Sequence, residues 1–485
     1  MSKAAQSIRK GIQEVAASLD QAQMTSARPP AFTYVPPTHA RALDPEATLV
    51  EGIRGAGKSF WWALLASPDH RAFVRSSFPE ARLPEDLEVS QGFGNGLSIS
   101  LAPDAETLGD LVRIYRPRSI WRAVIAVHVG FKGDFAKLKT WGQRAAWVQD
   151  NSEAFASELE AADARLDKQS TTLLILFDAL DRLADDWQHI HPLAKGLLQV
   201  ALEMRSTKHI RCKIYLRPDI LQDENITSFP DFSKLLAGKA SLEWRRADLY
   251  ALLYQCLGNA SMGGPEFRAL AKKVTATSES ARAGKSWQVP LLLRIDEEIQ
   301  ELLFELLAGK AMGSSTKRGK PYTWLVNHLQ DGLNQVSPRS YFAALGTAAA
   351  DTSPNEDLPL DYRGIQKGVQ KASEIRVREI TEDYVWVKFV MEPLRGNLTV
   401  PCTTRDFEVI WKREKTLSLL DSRLKAQSSF AKLPPQRLEL GPNGILLDLQ
   451  DLGMIQQIEE KRIQMPDVYR VAFGLGRRGG VKPLK

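Results

Sequence analysis

The sequence predicts an α/β protein built as a P-loop NTPase sheet, with a helical lid and a C-terminal winged-helix-like module. Three observations carry this. An apolar run of strand length, Ala47 to Val50, leads into Gly52-Ile53-Arg54-Gly55-Ala56-Gly57-Lys58-Ser59. A second run, Thr172 to Phe177, ends abruptly in Asp178. From Leu242 onward the spacing of apolar residues turns helical, and after a Pro-containing break at Pro354 to Pro359 a new set of short elements begins.

The first run matters because it delivers the chain into a glycine-rich loop. Phosphate groups carry dense negative charge, and a loop meets them with backbone N–H groups that only glycines let approach closely. A helix beginning near Gly57 adds its N-terminal dipole. The pattern G-x-x-x-x-G-K-[ST] should arise by chance on the order of 0.02 times in a chain of this length. Lys58 is therefore expected to reach the β- and γ-phosphates and Ser59 to ligate Mg²⁺, with Gly52, Ile53, Arg54, Gly55, Ala56, Gly57 and Phe60 completing the binding segment.

The second run reads as a strand buried on both faces, whose first polar residue lies at the carboxyl edge where ligands bind. Asp178 is thus the second candidate Mg²⁺ contact. Asp181, three residues on, is the candidate general base for the attacking water. The next strand, Ile210 to Leu216, ends in Arg217-Pro218-Asp219, so Arg217 could touch the γ-phosphate or form an ion pair with Asp219 or Asp223. Ser337-Pro338-Arg339 opens a lid helix and offers Arg339 as a second cation over the nucleotide. Arg245 and Arg246 are weaker candidates for a finger acting on a neighbouring subunit.

The rest of the chain frames this site. At 485 residues it is roughly three times the usual domain length, and hydrophobic (44%) and charged (25%) fractions at the globular average exclude a disordered or disulfide-stapled protein. No apolar run approaches the roughly 20 residues of a membrane helix, and Met1 to Gln6 lacks the apolar core of a secretory signal, so a cytoplasmic protein without a membrane role is expected. Cys212, Cys256 and Cys402 are too far apart for a metal knuckle and read as buried apolar residues.

Residues 1–45 read as an amphipathic helix (Ile8, Ile12, Val15, Leu19) and an extended Pro-rich linker, 46–240 as the ATPase core, 241–353 as the lid and 354–485 as the C-terminal module. Strands are expected at Leu97 to Leu101 and Arg211 to Leu216 as well. Gly92 to Gly96 reads as a hairpin turn, and Trp61-Trp62 as packing behind the loop. His189 and His191 would share a face on a strand, with no third ligand nearby. In the module, Gly444 to Leu452, Met454 to Ile458 and Val468 to Phe473 read as helix, strand and strand. Lys461 to Lys485 holds seven Lys/Arg against one acid, Asp467, a balance suited to a mobile tail on a phosphate backbone or to a frayed terminus.

Gly52 to Ser59 together with Phe177-Asp178-Ala179-Leu180-Asp181-Arg182 resembles the STAND and KAP branch of P-loop ATPases, cousins of AAA+ proteins, whose second motif ends in Asp, two residues and Asp. Leu216 to Ile220, Leu242-Glu243-Trp244 and Ser337 to Arg339 extend the resemblance over Ala47 to about Ala350. Ala179 stands where AAA+ proteins have Glu. The resemblance implies ATP and Mg²⁺ as ligands, and a switch of the kind found in bacterial anti-phage and other conflict systems, acting on a protein effector or by self-association. With no guanine-reading motif, ATP is the expected nucleotide. Two other functions stay open: a DNA-loading ATPase gripping duplex through the winged helix and tail, and a scaffold that ATP stabilises with little turnover. As a switch, ATP is expected to favour a closed or oligomeric form, with the N-terminal helix clamping a neighbour or its own lid.

Overall fold

A computed structural model describes residues 3–21, 29–94, 96–178, 180, 183, 187–276, 286–426, 433–477 and 481–483. Five parallel strands form the central sheet: β1 (Leu49–Glu51), β2 (Leu87–Phe93), β3 (Thr172–Phe177), β4 (Ile210–Leu216) and β5 (Ala240–Ser241), in the order β2-β3-β4-β1-β5. Alternation along β3 divides the protein into two cores, as the pleat requires. Leu173, Ile175 and Phe177 face one layer of helices, while Leu174 and Leu176 face the P-loop helix (Lys58–Ala66) and the lid. Helices thus cover both faces, which is why β3 is apolar along nearly its whole length. The chain has the α/β P-loop NTPase fold.

Two strand expectations move. Leu97 to Leu101 forms turns, with Ile99 and Leu101 exposed, and the pairing strand is β2 instead. Gly92 belongs to that strand and not to a hairpin turn: a Cβ there would lie 2.7 Å from the Phe177 ring and 2.8 Å from Ile175, so glycine lets β2 close onto β3. Asn95 of the expected turn lies outside the described residues. His189 and His191 sit in the first turn of a helix (Trp187–Met204), where His191 pairs with Asp223 at 2.9 Å.

The N-terminal helix (Lys3–Gln21) lies on the chain's own lid. Ile8, Ile12 and Val15 are buried there, Glu14 accepts from the Ser261 and Met262 N–H groups at 3.0 Å, and Arg9 donates to the carbonyls of Leu358 (2.8 Å) and Pro359 (3.0 Å). The stretch expected as a linker is packed as well, as far as it is described. Tyr34, Val35, Ala42 and Leu43 are buried, and prolines start two tight turns at Pro30–Phe32 and Pro37–His39. Its apolar residues outweigh its proline content.

The lid contributes helices Arg246–Asn259, Glu297–Ala308, Pro321–Leu329 and Pro338–Asp351. The last packs along a 22-residue helix, Tyr362–Asp383, that leads into the C-terminal module. There Val385–Met391, β6 (Thr399–Val400), Thr404–Arg413, Thr416–Lys425 and Gly441–Asp451 precede an antiparallel hairpin of β7 (Gln456–Gln457) and β8 (Ile463–Gln464). Cys402 bridges to Ile463, joining the first strand segment to the hairpin. The helix before the hairpin is the one the sequence pattern suggests, while Val385–Met391, Thr404–Arg413 and Thr416–Lys425 are three helices that the sequence reading does not name.

Val468 to Phe473, expected as a strand, is a helix (Asp467–Phe473). Pro466 precedes it, Asp467 and Arg470 pair one turn apart at 2.7 Å, and Gly474 ends it at φ 71°. The basic tail is correspondingly less available than its composition implies. Arg470 is fully buried, Arg477 lies in β9 (Gly476–Arg477) beside β6 and pairs with Asp467 at 3.2 Å, and Val481 is in the core.

Candidate nucleotide site

The loop after β1 is shaped by its glycines. Gly55 (φ 80°) and Gly57 (φ 105°) adopt the left-handed region, and Gly57 caps the helix that begins at Lys58. A Cβ on Gly55 would lie 2.3 Å from the Ser337 hydroxyl oxygen, so the lid's Ser337-Pro338-Arg339 turn sits directly against the loop. The Gly52 N–H donates to Leu216 O (3.1 Å), and the Trp244 indole donates to Ala56 O (2.8 Å). Trp61 is fully buried and Trp62 nearly so, behind the helix, as expected of packing residues.

Lys58 Nζ donates to the carbonyls of Gly52 (2.6 Å) and Ile53 (3.0 Å), folded over its own loop. The Ser59 residue is exposed, while Ile53 and Ala56 are buried and Arg54 and Phe60 half-buried. Two glycines in left-handed backbone, a lysine at the helix start and an accessible hydroxyl fit a phosphate chain with Mg²⁺. Among the described residues no group of three or more His, Cys, Asp or Glu forms a metal site.

β4 lies between β1 and β3, and this order brings Asp178 and Arg217 to the sheet edge of the loop. Asp178, buried, follows β3, its N–H donating to Phe93 O at 3.1 Å. Burial, and then the Asp178 carboxylate, push the Tyr215 phenol well above its ordinary pKa. Asp181 lies outside the described residues. Arg217 follows β4, between the loop and Asp178 in strand order.

Arg217 and Arg339 both carry internal partners. Arg217 holds Asp219 (2.9 Å) and Asp383 (2.7 Å) and donates to the Tyr384 hydroxyl (3.1 Å), which in turn donates to Asp219. Arg339 pairs with Glu379. Arg54, in the loop itself, pairs with Asp383 (2.6 Å) and Glu382 (3.0 Å) and donates to Glu379 O (2.8 Å). Burial opposes the charge of Arg54, but Asp383, Glu379 and Glu382 more than offset it and raise its pKa. Arg376, buried, donates to Arg54 O (2.8 Å) and the Tyr469 hydroxyl (3.1 Å). Arg245, more than half exposed, pairs with Asp248 at 2.8 Å, and Arg246 pairs with Glu297 at 3.1 Å.

Sequence patterns do not bring the helix Tyr362–Asp383 to this site. Its last turns place Arg376, Glu379, Glu382 and Asp383 on the loop, and Arg376, Glu379 and Asp383 line, with Arg54, Arg217 and Tyr384, a cleft of about 50 Å³. The only trace in the sequence is the charged run Arg376 to Asp383, which reads as a solvated helical face.

No family model matches the chain, and no curated protein is similar enough to count as a relative. Two solved structures align along most of both chains. The ORC2 protein of Aeropyrum pernix, in ADPNP–ADP complexes, is 14% identical over 90% of this chain and 93% of its own, with a TM-score of 0.32. Cdc6p from Pyrobaculum aerophilum is 11% identical over 92% and 93%, with a TM-score of 0.30. The strand order and the loop, not these likenesses, bear on function.

Proposed function

We propose that the chain binds and hydrolyses Mg·ATP and uses the change as a molecular switch, with 46–240 as ATPase core, 241–353 as lid and 354–485 as the module that is moved. The observation that carries the reading is the glycine loop with Lys58 at its helix start, placed on the same sheet edge as Asp178 and Arg217. Lys58 would leave the Gly52 and Ile53 carbonyls for the β- and γ-phosphates. Ser59 and Asp178 would hold Mg²⁺, which neutralises phosphate charge when bound. A water oxygen bonds to the γ-phosphorus as the bond to the β–γ bridging oxygen breaks, and Asp181 accepts the water proton. Arg217 and Arg339 would stabilise the charge that develops.

The resemblance to STAND and KAP ATPases extends this to a protein effector, in an anti-phage setting. The N-terminal helix, docked on its own lid, supports the intramolecular form of the clamp. The test is calorimetric titration with Mg·ATP, combined with an assay of phosphate release. Lys58→Ala should abolish binding, whereas Asp178→Asn should bind and lose turnover, in part recoverable with excess Mg²⁺. Unchanged ATP affinity in Lys58→Ala would remove the P-loop assignment.

A second reading, DNA binding, is favoured by one surface. The two helices spanning 404–425 expose Arg405, Lys412, Arg413, Lys415, Arg423 and Lys425. The helix before the hairpin, Gly441–Asp451, contains no Lys or Arg, and its Asp448 and Asp451 hold Arg437 at 2.9 and 2.6 Å. Duplex binding, if present, should fall with salt and be lost in Lys412→Ala/Arg413→Ala/Lys415→Ala rather than on deleting 478–485.

A further inference from the structure

Four cations meet the carboxylates of the long helix where it crosses the P-loop, with Asp219 also on Arg217 at 2.9 Å and Asp331 facing Arg376 at 3.7 Å. Arg54 comes from the loop, Arg217 from the end of β4, Arg339 from the lid and Arg376 from the helix itself. Glu379 takes Arg339 and also faces Arg54 and Arg376 at 4.0 and 3.7 Å; Asp383 takes Arg54 and Arg217 together; Glu382 takes Arg54. The central members are largely out of water, with side-chain exposures of 7% for Arg217, 9% for Glu379 and 21% for Asp383. Charges in such a place are strongly disfavoured when their partner is taken away.

The loop beneath is an anion site, and the arginines over it are already satisfied by anions of the protein's own. We propose that Glu379 and Asp383 are the residues that set ATP against ADP: they occupy Arg339 and Arg217 as internal substitutes for a γ-phosphate. The inference rests on nucleotide binding at the P-loop. ADP, ending at the β-phosphate, leaves both pairs in place. ATP places a third phosphate beyond the loop, toward the strand ends of Asp178 and Arg217, and draws on the same guanidinium groups. Glu379 then keeps only Arg376 and Arg54, and Asp383 only Arg54, beside a polyanion, and the weakened pairing lets like charges push the end of the helix off the loop.

The consequence is mechanical. Asp383 is joined directly to Tyr384 and the helix Val385–Met391 of the C-terminal module, and Arg376 holds that module through Tyr469. Releasing the carboxylates loosens the module from the core, so ATP opens the molecule, the reverse of the closure expected from the sequence. Linkage makes the coupling reciprocal: whatever holds the module on the core must disfavour ATP relative to ADP.

The experiment has two arms on the full chain. Hydrogen exchange is measured with ADP and with a non-hydrolysed ATP analogue, each at saturation by calorimetry. The analogue, but not ADP, should raise exchange over residues 376–391 and 441–452. Affinities for both ligands are then compared in Glu379→Gln/Asp383→Asn, where the preference for the analogue over ADP should rise on the order of tenfold. Identical exchange with the two ligands bound, or an unchanged preference in a variant whose unfolding remains cooperative, overturns the proposal and leaves nucleotide binding intact. Binding of neither ligand overturns both. The exchange arm uses the native chain, so it decides even if the variant fails to fold.

Discussion

Lys213 shows how much a single side chain can be made to tolerate. It lies fully buried in β4, its ammonium donating to the carbonyls of Asp44 (2.8 Å) and Ala47 (2.7 Å), and burial lowers its pKa to about 7. The unfolded chain keeps the ordinary lysine value of about 10.4, so between these values the unfolded state holds more protons than the folded one. Stability should therefore rise with pH from about 7 toward 10, by up to roughly 1.4 kcal/mol per unit from this residue, and the gain is absent below pH 7. Urea unfolding of the wild type and Lys213→Met at pH 7, 8 and 9 checks it: the variant should show the flatter dependence. At this scale the sequence is readable where chemistry is local. Lys58, Ser59 and Asp178 stand where the motif and the strand end place them. Arg217 shows one of its partners, Asp219 two residues on, but Asp383, its other partner, and Glu379, the partner of Arg339, are 166 and 40 residues away and nothing in either neighbourhood marks those pairings.

Elements divide in the same way. β3 and the P-loop helix are legible because buried parallel strands and glycine loops have sequence patterns of their own. β5 is two residues long, and Asp467–Phe473 is buried nearly all round, so no period separates helix from strand there. The N-terminal helix has a clear period, and the structure supplies the partner that the period could not name. Its apolar face packs so closely on the lid that a Cβ on Gly346 would lie 2.6 Å from the Ala16 Cβ. Ile12→Asp should put an unpaired carboxylate into this contact and cost about 3 kcal/mol or more, seen as a lower thermal midpoint. Ile12→Ala should cost about 2–4 kcal/mol with cooperative unfolding retained. At the loop, Gly55→Ala should weaken nucleotide binding, because a left-handed backbone and the Ser337 hydroxyl both exclude the added methyl; calorimetric titration reads the change.

At the scale of the whole molecule, nucleotide identity is proposed to decide whether the C-terminal module stays on the core. Cys212, Cys256 and Cys402 are buried, so cysteines introduced at exposed Ser152 and Ser418 can be spin-labelled selectively and the distance between core and module measured by pulsed electron paramagnetic resonance. With ADP a narrow distance distribution matching the nucleotide-free chain is expected. With a non-hydrolysed ATP analogue the distribution should broaden and shift, and in Glu379→Gln/Asp383→Asn it should already be shifted without nucleotide. The same distribution in all three nucleotide states, with both ligands bound, would contradict the account.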